Sequence, residues 1–175
     1  MSHFDWCMER VLKNEGGYSD HPNDSGGATN HGITQRTLAK YRGREVSKDE
    51  VRLLSVQEAK NIYQALYWDA LNLDYVNSRK VAMILFDFGV NAGVSASAAL
   101  VQAILGVKVD GKIGPVTLNA INRYPQSLLC AGLIMAIQIR YAQIVKNNPT
   151  QSVFIVGWIK RSHRLLEMVI MTDDV

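Results

Sequence analysis

Several things are scarce in this chain of 175 residues, and each scarcity closes off a class of protein. There are two cysteines, Cys7 and Cys130, both inside apolar helical patterns and with no C-x-x-C pairing. A disulfide framework, a simple zinc site and a dithiol redox motif are thereby excluded, and buried thiols are expected. Lys and Arg exceed Asp and Glu by a formal charge of only +3. No basic stripe interleaved with aromatics accompanies it, so nucleic acid is not an expected partner, whereas an anionic cell wall suits the sign. The most apolar run, Leu128 to Ile137, is too short to span a bilayer, and no stable membrane insertion is expected. The start, MSHFDWCMER, has acidic residues and no apolar core behind a basic head, so it does not read as a signal peptide. No internal repeat or low-complexity tract appears. With 47% hydrophobic and 20% charged residues, what remains is an ordinary globular chain able to bury one good core or two small ones.

What is present is concentrated in one stretch. From Asn14 to Thr34 the chain reads NEGGYSDHPNDSGGATNHGIT, with almost nothing apolar and a crowd of hydrogen-bonding side chains. A loop of this length is costly unless it is used. Before it, Phe4, Met8, Val11 and Leu12 recur at three- and four-residue spacing, which predicts an amphipathic helix whose buried stripe points toward Glu15. A carboxyl beside apolar surface holds its proton more tightly, as a general acid requires. Gly16 and Gly17 then supply the left-handed backbone that ends a helix. On residues alone, Glu15 is equally well a solvated side chain near a helix end.

The motifs of this stretch, Glu-Gly-Gly-Tyr, Asp-Ser-Gly-Gly-x-Thr-Asn and Gly-Ile-Thr, resemble the opening signature of the glycoside hydrolase family 108 muramidases, which include phage endolysins and secretion activator proteins. The resemblance implies a mainly α, lysozyme-like helical bundle with a long active-site loop or small hairpin after the first helix. It also implies cleavage of the β-1,4 bond between N-acetylmuramic acid and N-acetylglucosamine, with the catalytic glutamate at Glu15. Bacterial peptidoglycan is then the partner, and no cofactor or metal is called for. An endolysin of this kind is made in the host cytoplasm without a signal peptide, crosses with the help of a holin, and acts in the periplasm or on the wall.

Phage lysozymes of the T4 type share part of the loop's geometry. Their Glu and Asp are separated by eight residues, as are Glu15 and Asp24 here, but four residues rather than five separate Asp24 from Thr29. Asp24 and Thr29 are accordingly candidates for positioning the water of an inverting hydrolysis, with Asp20 in reserve; a turn with Asp24 accepting backbone N–H bonds is the alternative. Tyr18, Asn30 and His31 divide between lining a sugar groove and scaffolding, with packing favoured for Tyr18. Asp20, Asn23 and Asp24 lack the alternating ligands and final glutamate of a calcium loop, and no Lys-Ser or Lys-Thr follows the glycines as a phosphate cradle requires.

Beyond the loop, Thr34 is expected to cap a helix closed by Gly43, and Ser47 to Glu50 and Ser55 to Glu58 read as capping boxes. The second opens a helix through Ile62, Tyr63 and Tyr67, where Trp68 either stacks on sugar or fills the core. The run KVAMILFDFGVNAG is apolar nearly all round and predicts a central buried helix. Asp87 and Asn91 share one face of it, and Asn91 is a sugar-binding candidate or half of a polar tie between helices. Asp110-Gly111-Lys112-Ile113-Gly114-Pro115 with Thr117 resembles the turn of small peptidoglycan-binding modules. Two long helices, Ser127 to Lys146 and Thr150 to Met171, close the chain. Within the second, Trp158 and Arg161 form a Gly-Trp-x-x-Arg pattern similar to one late in the family, and both are substrate-binding candidates. One domain over 1–175 is expected, with a catalytic lobe at 3–77 and a helical lobe at 78–172. The alternatives are a lytic transglycosylase giving 1,6-anhydro products and a binding protein without chemistry.

Overall fold

The computed structural model describes residues 1–14, 17–20 and 27–171, except the side chains of 13 and 14. Glu15 and Asp24 therefore lie outside the described residues. The architecture is mainly α, with one small antiparallel hairpin following the first helix. The chain divides into two compact units, Met1–Ala70 and Leu71–Val175.

The first unit opens with α1 (His3–Asn14), whose stripe is buried as its spacing requires: Phe4, Met8 and Val11 are in the core. After the loop come β1 (Thr29–Asn30) and β2 (Ile33–Thr34), then α2 (Gln35–Arg42), α3 (Lys48–Arg52) and α4 (Val56–Tyr63). The Thr34 hydroxyl accepts from the Thr37 N–H at the start of α2, and Gly43 ends that helix in the left-handed conformation (φ 67°). Ser47 and Glu50 form the expected reciprocal box. Ser55 caps α4 through the Glu58 N–H, but the Glu58 carboxylate accepts from Arg42 (3.1 and 2.7 Å). A guanidinium offers that carboxylate two charge-assisted bonds where a cap offers one neutral N–H. Past α4 the helix widens into a π turn at Gln64–Trp68. Trp68 is fully buried with its edge toward the Phe4 ring (centroids 5.4 Å apart), so it fills core volume.

Glu50 ties α2 to α3. Its carboxylate accepts from Arg42 (2.7 Å), Arg44 (2.6 Å) and the Ser47 N–H (2.9 Å). The Arg44 hydrogen bond first, then the Ser47 N–H, hold its pKa down at about 2, from an ordinary 4.5. Because the folded value is the lower one, any stability it contributes is complete above 4.5 and is lost as pH falls toward 2. An NMR titration is expected to place the Glu50 carboxyl midpoint near 2, and Arg44→Ala is expected to move it upward. An unmoved midpoint would show that Arg44 is not the cause.

In the second unit α5 (Arg79–Ala92) is the buried central helix, with α6 (Val94–Leu105), α7 (Pro115–Arg123), α8 (Gln126–Asn147) and α9 (Ile155–Met171) following. Val81 to Phe86, Phe88 and Gly89 are all buried, as a helix apolar nearly all round demands. Cys7 and Cys130 are buried thiols. The turn Asp110–Pro115 is built on buried Gln102, a residue for which the sequence had suggested no role. Its Nε2 donates to the Asp110 carboxylate (2.9 Å), the Lys112 carbonyl (2.9 Å) and Thr117 Oγ1 (3.1 Å). Its Oε1 accepts from the N–H groups of Asp110 (3.1 Å) and Gly111 (2.9 Å). The apolar run Leu128 to Ile137 proves to be part of a helix of 22 residues, because Gln138, Arg140 and Gln143 interrupt the hydropathy without interrupting the helix. By length and composition α8 is long and apolar enough to cross a membrane, so shortness no longer excludes it.

Candidate active site

The polar loop leaves α1 at Asn14 and returns as an edge-to-edge patch of backbone. Ser19 and Thr29 exchange both N–H···O bonds (2.8 and 2.7 Å), and Thr29 pairs in turn with Thr34 across the hairpin. The connection at His31-Gly32 has both residues at positive φ (50° and 75°), the two-residue turn whose twist matches antiparallel strands. A histidine in that conformation is uncommon. Here the His31 carbonyl accepts from the Tyr63 hydroxyl (3.2 Å), which helps fix the turn.

Successive strand residues face opposite sides, and this sorts the candidates. Asn30 and Ile33 are buried while Thr29 and Thr34 are half-buried. The Asn30 amide donates to the Val51 and Arg52 carbonyls (3.1 and 3.0 Å), so it satisfies the C-terminal end of α3 and works as scaffolding. Among the described residues Thr29 Oγ1 reaches the Gly27 carbonyl alone, at 3.4 Å. Tyr18 packs under the Arg52 guanidinium, 4.8 Å from its ring centroid. Its hydroxyl oxygen is buried and has no hydrogen-bond partner among the described residues. Asp20 is held by Lys48 at 3.0 Å.

Gly27 is the joint between loop and hairpin. At φ 77°, a Cβ there would lie 2.7 Å from Gln35 Oε1 and 3.2 Å from Gln35 Cβ. The Gln35 amide is in use, donating to the Val46 carbonyl at 2.7 Å. Gly27→Ala is expected to combine left-handed strain of about 1–2 kcal/mol with a displaced Gln35. A lower melting temperature, with a larger fractional loss of activity than of stability, is the expected result. Unchanged melting and activity would show that the joint tolerates a side chain.

Three further candidates belong to the second unit. Asp87 is gripped by Arg161 through Nε (2.8 Å) and a terminal nitrogen (2.9 Å), which fastens α9 to α5. Asn91, one turn along α5 from Asp87, is exposed. Trp158 stacks on Tyr141 (5.1 Å) and Phe154 (6.0 Å). Tyr141 had not been singled out in the sequence. Burial raises its pKa, Arg161 opposes the rise, and Asp87 adds to it. The structure thus gathers Tyr18, Thr29, Asn30 and His31 in the first unit, and Asp87, Tyr141, Trp158 and Arg161 in the second. Among the described residues no cluster of His, Cys, Asp and Glu could hold a metal ion.

Comparison with known proteins bears on both units. Residues 8–93 match the family model Glycosyl hydrolase 108, and residues 96–163 match that of a Predicted Peptidoglycan domain. Comparison with curated proteins gives no match. Among solved structures, that of Brucella abortus SagA is 36% identical, with a TM-score of 0.86, over 98% of this chain and 96% of its own. The chain belongs to glycosyl hydrolase family 108, a glycoside hydrolase with a peptidoglycan domain that acts on the bacterial cell wall.

Proposed function

We propose that the chain is an N-acetylmuramidase that hydrolyses the β-1,4 bond between N-acetylmuramic acid and N-acetylglucosamine, with Glu15 as general acid. The observation carrying this reading is the fold of the segment around the loop. The chain leaves α1 at the residue before Glu15 and is pinned by the Ser19 and Thr29 backbone bonds, all inside the region matched by the glycosyl hydrolase model. Glu15 protonates the glycosidic oxygen, the C1–O bond breaks through an oxocarbenium-like state, and water adds to C1 to leave a reducing muramic end. Asp24, with Thr29, positions that water on the inverting route. The pairing of Asp20 with Lys48 favours Asp24 over Asp20 for this task. Tyr18, His31, Asn91, Trp158 and Arg161 are proposed to contact substrate directly or to hold the groups that do. Service as a phage or prophage endolysin, released through a holin, fits the same reading.

Mass spectrometry of purified peptidoglycan digested by the wild type and by Glu15→Gln tests the reaction. Reducing muramic ends that disappear in the variant are the expected result. Ends in 1,6-anhydro form would make the enzyme a lytic transglycosylase. Wall that is pelleted with protein but left uncut by either form would leave only a binding module.

A further inference from the structure

Helix α8 is apolar on two faces, and the unit packs only one of them. Leu129, Cys130, Leu133, Ile134, Ile137 and Tyr141 are buried. On the other side Leu128, Ala131, Met135, Ile139 and Ala142 are exposed. At 3.6 residues per turn these five fall within a stripe about 80° wide and about 21 Å long. The large members are well out in solvent: Leu128 is 62% exposed, Met135 61% and Ile139 56%. A contiguous apolar stripe of this length marks a surface that meets something other than water.

Charge selects the occupant. Between Arg123 and Met171 the only acidic side chain is Glu167, and α8 itself has none. The same segment exposes Arg123, Arg140, Lys146, Lys160 and Arg164. Residues 1–122, by contrast, hold 13 basic and 13 acidic side chains and are neutral. A second copy docked symmetrically on this face would bring two cationic segments together, which like-charge repulsion opposes. A glycan presents its C–H faces to flat aromatic rings, and the stripe has none. An anionic lipid surface offers acyl chain to the stripe and headgroup charge to Lys146, which lies in line with the stripe one turn beyond Ala142. Spanning is disfavoured because the opposite face of α8 is already packed into the unit.

We infer that the exposed stripe of α8 seats the protein peripherally on an anionic phospholipid surface, independently of the glycosidase chemistry. The test is co-sedimentation of the full chain with vesicles of phosphatidylglycerol and phosphatidylcholine, against vesicles of phosphatidylcholine alone. Binding to the anionic vesicles is expected to be at least about tenfold stronger and to weaken as salt is raised. The double variant Met135→Glu, Ile139→Glu is expected to lose about tenfold in vesicle binding while still cutting purified peptidoglycan at the wild-type rate. Ile139→Ser, a milder exposed change, gives the same direction if the double variant folds poorly. Glu15→Gln is expected to bind vesicles like the wild type, so failure of the muramidase reading would leave this result untouched. Equal binding to both vesicle types, or undiminished binding by both variants, would overturn the inference. So would a wild-type dimer in sedimentation equilibrium that Ile139→Ser turns into a monomer, or wall pelleting that the same variant abolishes.

Discussion

Glu15→Gln is expected to lower the rate of peptidoglycan cleavage by about 10²–10⁴-fold while leaving binding to the wall and the melting temperature close to the wild type. The amide is nearly isosteric with the carboxylic acid but has no proton to give the departing sugar oxygen. Loss of general-acid catalysis should therefore appear in kcat, with little change in KM. Asp24→Asn separates the two roles open to that carboxylate. If Asp24 holds the attacking water, its amide variant should also be slow, without a matching loss of stability. If Asp24 only closes a turn, activity should fall no further than stability does. A Glu15→Gln protein that still turns over at more than about a tenth of the wild-type rate would remove Glu15 from the acid's role.

Gln102→Leu is expected to be the most destabilising single change in the second unit. The side chain is 1% exposed and makes five hydrogen bonds to the turn Asp110–Lys112 and to Thr117. Leucine fills similar volume but leaves the Asp110 and Gly111 N–H groups and the Lys112 carbonyl without that partner. At about 1–3 kcal/mol for each poorly satisfied buried group, and with water able to reach part of this turn, the loss should be about 3 kcal/mol. For a chain of this size that is a fall of roughly 6–12 °C in melting temperature. Gly111 adds a second constraint, since at φ 73° its Cβ would lie 2.4 Å from Ser95 Oγ. Gly111→Ala should therefore weaken the same turn, and the double variant should cost less than the two singles added. A Gln102→Leu protein melting within about 2 °C of the wild type would mean that the turn stands without its amide.

The residues that were easy to read in the sequence are those whose partners are near them along the chain. The stripe of Phe4, Met8 and Val11, the caps at Thr34 and Ser47, the left-handed stop at Gly43 and the buried run of α5 all follow from spacing or from a turn's geometry. The loop signature was legible for another reason: a polar stretch between helical patterns has little work to do except chemistry. Partners distant in sequence were not legible. Glu58 looked like half of a capping box and is claimed by Arg42, sixteen residues away. Asn30 looked equally suited to sugar and to scaffold until its amide was found on the Val51 and Arg52 carbonyls. Gln102 finds its partners beyond its own apolar helix, where a lone amide among Val101, Ala103 and Ile104 is itself a sign of a buried polar task.

Local sequence determined that this protein is mainly helical, that its first helix runs into a polar loop at Glu15, and that the loop carries the signature of a family that cuts bacterial wall. Helix periodicity, capping and turn chemistry are short-range, and a functional loop declares itself by composition. Tertiary structure alone decided which polar groups are occupied by the fold: Asp20 by Lys48, Asp87 by Arg161, Asn30 by the end of α3. It also decided that α8, apolar on two faces, buries one and leaves the other in solvent. Which of two apolar faces meets its neighbours is fixed by packing between elements far apart in the chain, and no local pattern carries that information.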